Sequence, residues 1–319
     1  MPGTVFVELQ PIQEPDRPVH PRYRRQRLSR ALILLLRGLA WLPFPLLWAL
    51  AYTLGALVHL FRRGGAVDIN LQMCFPEWDK ATRRKVARQH YMVLARSLLE
   101  LGVQVFQPKR RLLNAVTIVG MEHLRAQQGK PVILLTPHFV GMNFAGSAVA
   151  EVVPLVAMYS ANKDVAFNEL LLKARSRFGA PGLISRQQGL RPILKALRAG
   201  KPLYYLPDMD FGARDSVFVP FFGHPAATIT AVSRIAKAAD AVVVPLVVRQ
   251  LGWWKGYEAR FYPGWDAFPS GDEVADAVYM NQFVEARVRE MPEQYFWVHR
   301  RFGTSPPGTP NRYKPARRP

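Results

Sequence analysis

The sequence predicts an α/β fold: a largely parallel central sheet flanked by helices, with an N-terminal membrane-associated helical segment. Three observations predict it. Short β-branched or leucine-rich runs alternate with helical patterns along most of the chain, as in a parallel sheet wound with crossover helices. In Pro131-Val-Ile-Leu-Leu-Thr-Pro-His138-Phe-Val-Gly-Met-Asn143, continuing to Ala150, a buried strand passes through a tight turn into a small-residue helix. Behind a run of arginines, Gly38 to Phe61 carries no Lys, Arg, Asp or Glu, long enough for the roughly 20 apolar residues that cross a bilayer. With 319 residues and 49% hydrophobic content, the rest can bury one large core.

Residues 1–21 lack periodicity and read as a loose leader. Residues 22–63 form the basic and apolar membrane-associated segment, with Arg22, Arg24, Arg25, Arg27 and Arg30 leading in and Trp41, Trp48 and Tyr52 placed as interface anchors. It begins too far into the chain for a cleaved signal peptide. Arginines are more numerous before the segment than after it, where only Arg62 and Arg63 follow. A straight span would therefore export the main domain. Pro43 and Pro45 break the helix, and a kinked segment lying in one leaflet removes that conflict; a buried helical hairpin is the alternative.

The main domain covers residues 64–304. Asp79 caps a helix running to about Phe106, whose Val86, Tyr91, Val93, Leu94, Leu98, Leu101 and Val105 keep a helical period. Strands follow at 116–119, 132–135, 152–158, 203–206 and 242–248, with helices at 122–127, 165–178, 190–199 and 228–239. An amphipathic helix at 272–290 closes the domain, and the Pro-, Gly- and Arg-rich residues 305–319 read as a disordered tail.

Lys plus Arg number 43 against 23 acidic residues, so the surface suits an acidic partner. No aromatic-basic interleaving supports nucleic acid; anionic lipid and acidic protein remain. Cys74 is the single cysteine and lies in an apolar Met-Cys-Phe-Pro setting, as a packed thiol. No phosphate-binding glycine loop, His-Glu-x-x-His or Gly-x-Ser-x-Gly appears, and no metal or cofactor is expected. His138 sits where a strand-to-helix turn presents a side chain beside helix N–H groups, a place for a general base or for a simple cap. Asp208 and Asp210, in Leu206-Pro-Asp-Met-Asp-Phe-Gly212, fall at a strand end on the same sheet edge, to orient a base, bind a metal or anchor a loop.

The ordered motifs His138 to Asn143, Pro207 to Gly212, Pro220-Phe-Phe-Gly223 and Gln294-Tyr-Phe-Trp-Val-His-Arg-Arg-Phe302 resemble the late acyltransferases of lipid A biosynthesis, the lauroyl/myristoyl transferase family. So do Asn70 to Pro76 and Ser185 to Arg191, and the resemblance covers roughly residues 35–305. It implies an enzyme at the bacterial inner membrane, its catalytic domain cytoplasmic, moving a fatty acyl chain from acyl carrier protein to a hydroxyl of a lipid A precursor. His138 would be the base. Arg175, Arg186 and Arg234, together with Asp208, Asp210 and Gly212, would bind substrate, although a solvated basic surface is an equal reading for Arg186. The family carries Asp or Glu where this chain has Asn143. An amide orients an imidazole without stabilising its cation, so either activity is impaired or another carboxylate, Asp208 or Asp210, substitutes. Another lipid acceptor, or a silent membrane- and carrier-binding module, is the alternative function.

Overall fold

The computed structural model describes residues 23–62, 64–160, 164–179, 181–252 and 255–313; the leader at 1–21 and the end of the tail lie outside them. Helix α1 (Tyr23–Leu39) and helix α2 (Phe44–Phe61) are separate, because the chain turns at Ala40–Pro43 and Pro45 occupies the first turn of α2. Pro is tolerated there because the first N–H groups of a helix need no partner within it. Arg111 donates to the carbonyls of Ala40 and Leu42 at the turn. After α3 (Ala66–Cys74), Asp79 accepts from Thr82 N at 2.7 Å and caps the long α4 (Lys80–Phe106).

Two glycines let these helices approach. A Cβ at Gly55 would lie 2.4 Å from the Met92 backbone, and one at Gly102 would lie 2.4 Å from Leu36 O. Beneath α2, Arg96 and Glu100 form an ion pair at 3.0 Å with no side-chain exposure. Trp48 donates to Glu100, Arg96 to Tyr52 and Tyr257 to Glu100. Fixed below, α2 is apolar above: by length and composition it is the one described helix able to cross a membrane, and 33% of it is buried in the protein. Leu57, Leu60 and Phe61 face outward.

Then come α5 (Lys109–Leu113), β1 (Val116–Val119), α6 (Met121–Arg125), β2 (Val132–Leu135), α7 (Met142–Val152), β3 (Val156–Tyr159), α8 (Val165–Ser176) and β4 (Gly182–Ser185). These are followed by α9 (Arg191–Arg198), β5 (Leu203–Tyr205), β6 (Ser216–Phe221), β7 (His224–Ile229), α10 (Ala231–Ala239), β8 (Val242–Gln250), β9 (Tyr257–Phe261) and α11 (Glu273–Glu290). Seven strands form one sheet in the order β1-β9-β8-β2-β5-β3-β4, parallel except for β8 against β9. All four residues of β2 are buried, as both faces of a covered parallel strand require. Val132 and Leu134 pack with α4, α7 and α8; Ile133 and Leu135 pack with α9 and α10.

Three features depart from the predicted elements. The strand expected at 152–158 begins at Val156, because α7 runs on to Val152, and Thr228–Ile229 end β7 rather than beginning α10. β4 and β9, and the β6–β7 hairpin, are additional to the predicted elements. Pro220 and Pro225 stand opposite each other in that hairpin, which is tolerated because each of these strands pairs only with the other. Past residue 305, Tyr313 donates to Asn70 and accepts from Phe302 N.

Candidate active site

β2 and β5 are neighbours in register, so the segments that follow them emerge side by side. Thr136 N continues the ladder to Tyr205 O at 2.9 Å, and Pro137 with a tight Phe139 N to Pro137 O bond turns the chain out. His138 stands on that turn. The Asp208 carboxylate, fully buried, accepts twice from it: Oδ2 from the His138 backbone N–H at 2.9 Å, Oδ1 from ring Nδ1 at 2.7 Å. A buried carboxylate only accepts, so Nδ1 carries the proton and Nε2 keeps its lone pair. No described residue hydrogen-bonds Nε2, and the ring lines the cavity. Burial pushes the Asp208 carboxyl up, but the attraction of the His138 ring in its protonated form and both hydrogen bonds from that residue outweigh it and hold it below the ordinary carboxylate value.

A second layer fixes this pair. Residues 292–296 lie across the turn: Val140 N donates to Gln294 O, Phe296 N to His138 O, and Tyr295 Oη to Asp208 O. Asp210 holds the loop, accepting from Gly212 N at 2.9 Å and Thr304 N at 2.6 Å, while its own N–H donates to His299 Nε2. Burial, then the His138 charge, depress His299 to about 4, keeping it neutral. Gly212 adopts φ 94°, which suits glycine.

The cavity encloses about 510 Å³, within the range of small-molecule sites. Its lining wraps the carboxyl edge of the sheet. Ala157, Leu183 and Tyr204 alternate onto the α7–α8 side, Met158 and Tyr205 onto the α9–α10 side. The first side is mostly small and apolar, with Gly146 and Ala150 from α7; a Cβ on Gly146 would meet Tyr204 Oη at 2.8 Å.

Asn143, on the first turn of α7, faces α8 rather than the imidazole. Its Oδ1 accepts from Arg175 Nε at 3.3 Å and Nη2 at 3.1 Å. Among the described residues no carboxylate lies within salt-bridge distance of Arg175, and burial lowers its pKa. Arg186 is exposed at the mouth, its guanidinium 4.6 Å above the Phe211 ring. Arg234 also lines the cavity but is shared with Asp215 at 3.9 Å and Glu273 at 3.8 Å. Thus His138, Asn143, Arg175, Arg186 and Arg234 meet at one cavity; Asp208 stands behind the histidine, and Asp210 with Gly212 shapes the loop. Among the described residues no group of three or more His, Cys, Asp or Glu is arranged to hold a metal.

The family of bacterial lipid A biosynthesis acyltransferases matches residues 16–304. The chain belongs to this family. It is 34% identical over 300 residues to the lipid A biosynthesis lauroyltransferase of Escherichia coli (strain K12), covering 92% of this chain and 96% of the relative. The palmitoleoyltransferase of the same organism is 30% identical over 287 residues, 86% of this chain and 92% of the relative. Its myristoyltransferase is 30% identical over 302 residues, 92% of each chain.

In this lipid A acyltransferase family member, sequence reasoning missed Tyr295, which supports Asp208, and Tyr204, which walls the apolar side. Strand alternation in Leu203-Tyr204-Tyr205 was the available signal for Tyr204. Tyr295 follows a turn with no periodic pattern, and the available signal was its place in the Gln294 to Phe302 motif.

Proposed function

We propose that this chain transfers a fatty acyl group from acyl carrier protein to a hydroxyl of a lipid A precursor, with His138 as general base. The observation that carries the reading is the His138–Asp208 pair at the wall of a partly apolar cavity. The acceptor hydroxyl gives its proton to His138 Nε2 as its oxygen attacks the thioester carbonyl. Asp208 stabilises the resulting imidazolium, and the amino-terminal turn of α7 favours the tetrahedral oxyanion. Collapse breaks the carbon–sulfur bond, and the departing thiolate takes the proton back from Nε2. The mechanism needs no metal, cofactor or acyl-enzyme.

Asn143 then acts on Arg175, not on the base. The small apolar side of the cavity holds the acyl chain, each buried CH₂ contributing about 0.8 kcal/mol. The outward face of α1 and α2 lies in one leaflet of the bacterial inner membrane, the sheet on the cytoplasmic side, where lipid acceptor and soluble donor meet. Acyl transfer from labelled lauroyl or myristoyl carrier protein, with the full chain beside His138→Ala, tests the proposal. Loss of transfer in a folded His138→Ala variant is expected; undiminished transfer refutes the base.

A further inference from the structure

Between Glu169 and Asp208 the chain carries eight cationic side chains and no acidic one. Three of them fall on α9. Ile193 and Leu197 turn into the core beside α10, while Arg191, Lys195 and Arg198, spaced four and three apart, share the exposed face. Among the described residues no carboxylate comes within 4.0 Å of any of the three. The result is a self-repelling ridge that an anionic partner would relieve.

Its position selects the partner. The ridge begins beside the cavity, because Leu190 and the inner side chain of Ile193 line it, as does exposed Arg186. Leu190 is 45% exposed, an apolar contact at the head of the basic stripe. α9 packs with α10 on one side of the sheet, whereas α1 and α2 pack with α4 on the other. The ridge is thus on the side away from the apolar helices, presented to a partner in water rather than to lipid.

We propose that Arg191, Lys195 and Arg198 form the docking surface for the acidic carrier protein that presents the acyl thioester, an inference resting on the donor assigned under Proposed function. The ridge fits a partner with acidic side chains at helical spacing, Leu190 supplies an apolar contact, and the carried chain enters beside Arg186. Exposed pairs of this kind act mainly on encounter rate and salt dependence.

The test is the full chain in nanodiscs against its Lys195→Glu/Arg198→Glu double variant, with two donors. One is lauroyl carrier protein; the other is the lauroyl thioester of N-acetylcysteamine, which has no protein and no charge. The double variant should raise KM for the carrier-borne donor about tenfold or more, with kcat within twofold and the small-thioester rate unchanged. Added salt should raise KM steeply in the parent and weakly in the variant. An unchanged KM in the variant, while the parent strongly prefers the carrier-borne donor, overturns the ridge alone. Equal loss with both donors overturns it in favour of a damaged site. A parent indifferent to the carrier refutes the donor assignment instead. Binding to phosphatidylglycerol vesicles is measured in parallel, and loss there with no change in KM would assign the ridge to lipid.

Discussion

Asn143→Asp and Asp208→Asn are opposite exchanges of amide and carboxylate, one on the cavity wall and one behind the histidine, and the structure assigns them very different consequences. At 143 the new carboxylate would stand about 3.1 Å from Arg175 Nη2. The gross attraction at an effective dielectric of 20 is about 5 kcal/mol. Desolvation offsets most of it, and replacing a neutral acceptor by a charged one leaves about 1 kcal/mol. The apparent melting temperature should rise by a few degrees, and turnover should change by less than about tenfold because the imidazole is oriented from elsewhere. At 208 the demand is for two acceptors, one for the His138 N–H and one for Nδ1–H. An amide offers one oxygen. Whichever way it turns, an NH₂ meets an N–H, and if it meets Nδ1 the tautomer inverts and Nε2 loses its lone pair. A fall in kcat of roughly 10³–10⁴ is expected, the scale seen when a triad aspartate becomes asparagine. The assay is carrier-protein-dependent acyl transfer with both folded variants in equivalent membranes. Asn143→Asp faster by 10³ with Asp208→Asn near parental activity would refute the assignment of the pair.

The other expectations are briefer. His90 is buried, its Nδ1 3.0 Å from Glu293 O, and burial depresses it to about 4. The unfolded chain takes up that proton first, so stability is full above the ordinary histidine value and falls as pH drops from about 6.5 towards 4, His90 alone contributing about 3 kcal/mol. His299, depressed likewise, adds to the same limb, so His90→Gln should make it shallower in denaturant titrations across that window, and an unchanged slope refutes the assignment. Even a Cβ at Gly146 would meet Tyr204 Oη at 2.8 Å, so Gly146→Ala forces that wall of the cavity to shift; donor competition should show preference moving to shorter acyl chains, and unaltered preference refutes that wall as the chain's site. Glu100→Gln leaves the buried Arg96 guanidinium without its carboxylate, at a cost of about 3–5 kcal/mol readable by thermal unfolding.

Much of this was legible where local chemistry decides structure. The four-residue runs at 116–119 and 132–135, the Asp79 cap and the strand–turn–helix at His138 depend on neighbours in sequence. β4 is equally short but opens on glycine, and β9 mixes Glu and Arg into its alternation, so neither stands out. The β6–β7 hairpin turns at Phe222 and Gly223, both with positive φ, without the usual Asn-Gly or Asp-Gly signal, and its prolines argue against strands. The same limit governs the site. Asn143, five residues after His138, stands where the resembled family carries a carboxylate, so the motif points to it; Asp208 is 70 residues away, and its partnership depends on β5 lying beside β2. Sequence could name Asp208 and Asp210 as candidates without choosing, since their roles differ only by which bonds the loop lets each make.

The strap at residues 292–296 has a consequence for how the chain is made. His138 and Asp208 are synthesised in the first two-thirds of the protein, yet the bonds that fix their turn come from Gln294, Tyr295 and Phe296. At roughly 5–20 residues per second, α1 and α2 leave the ribosome about ten seconds or more before those three residues exist. A nascent chain therefore meets its surroundings with apolar helices formed and the histidine turn still unpinned, and the turn is fixed only once Gln294, Tyr295 and Phe296 have been made.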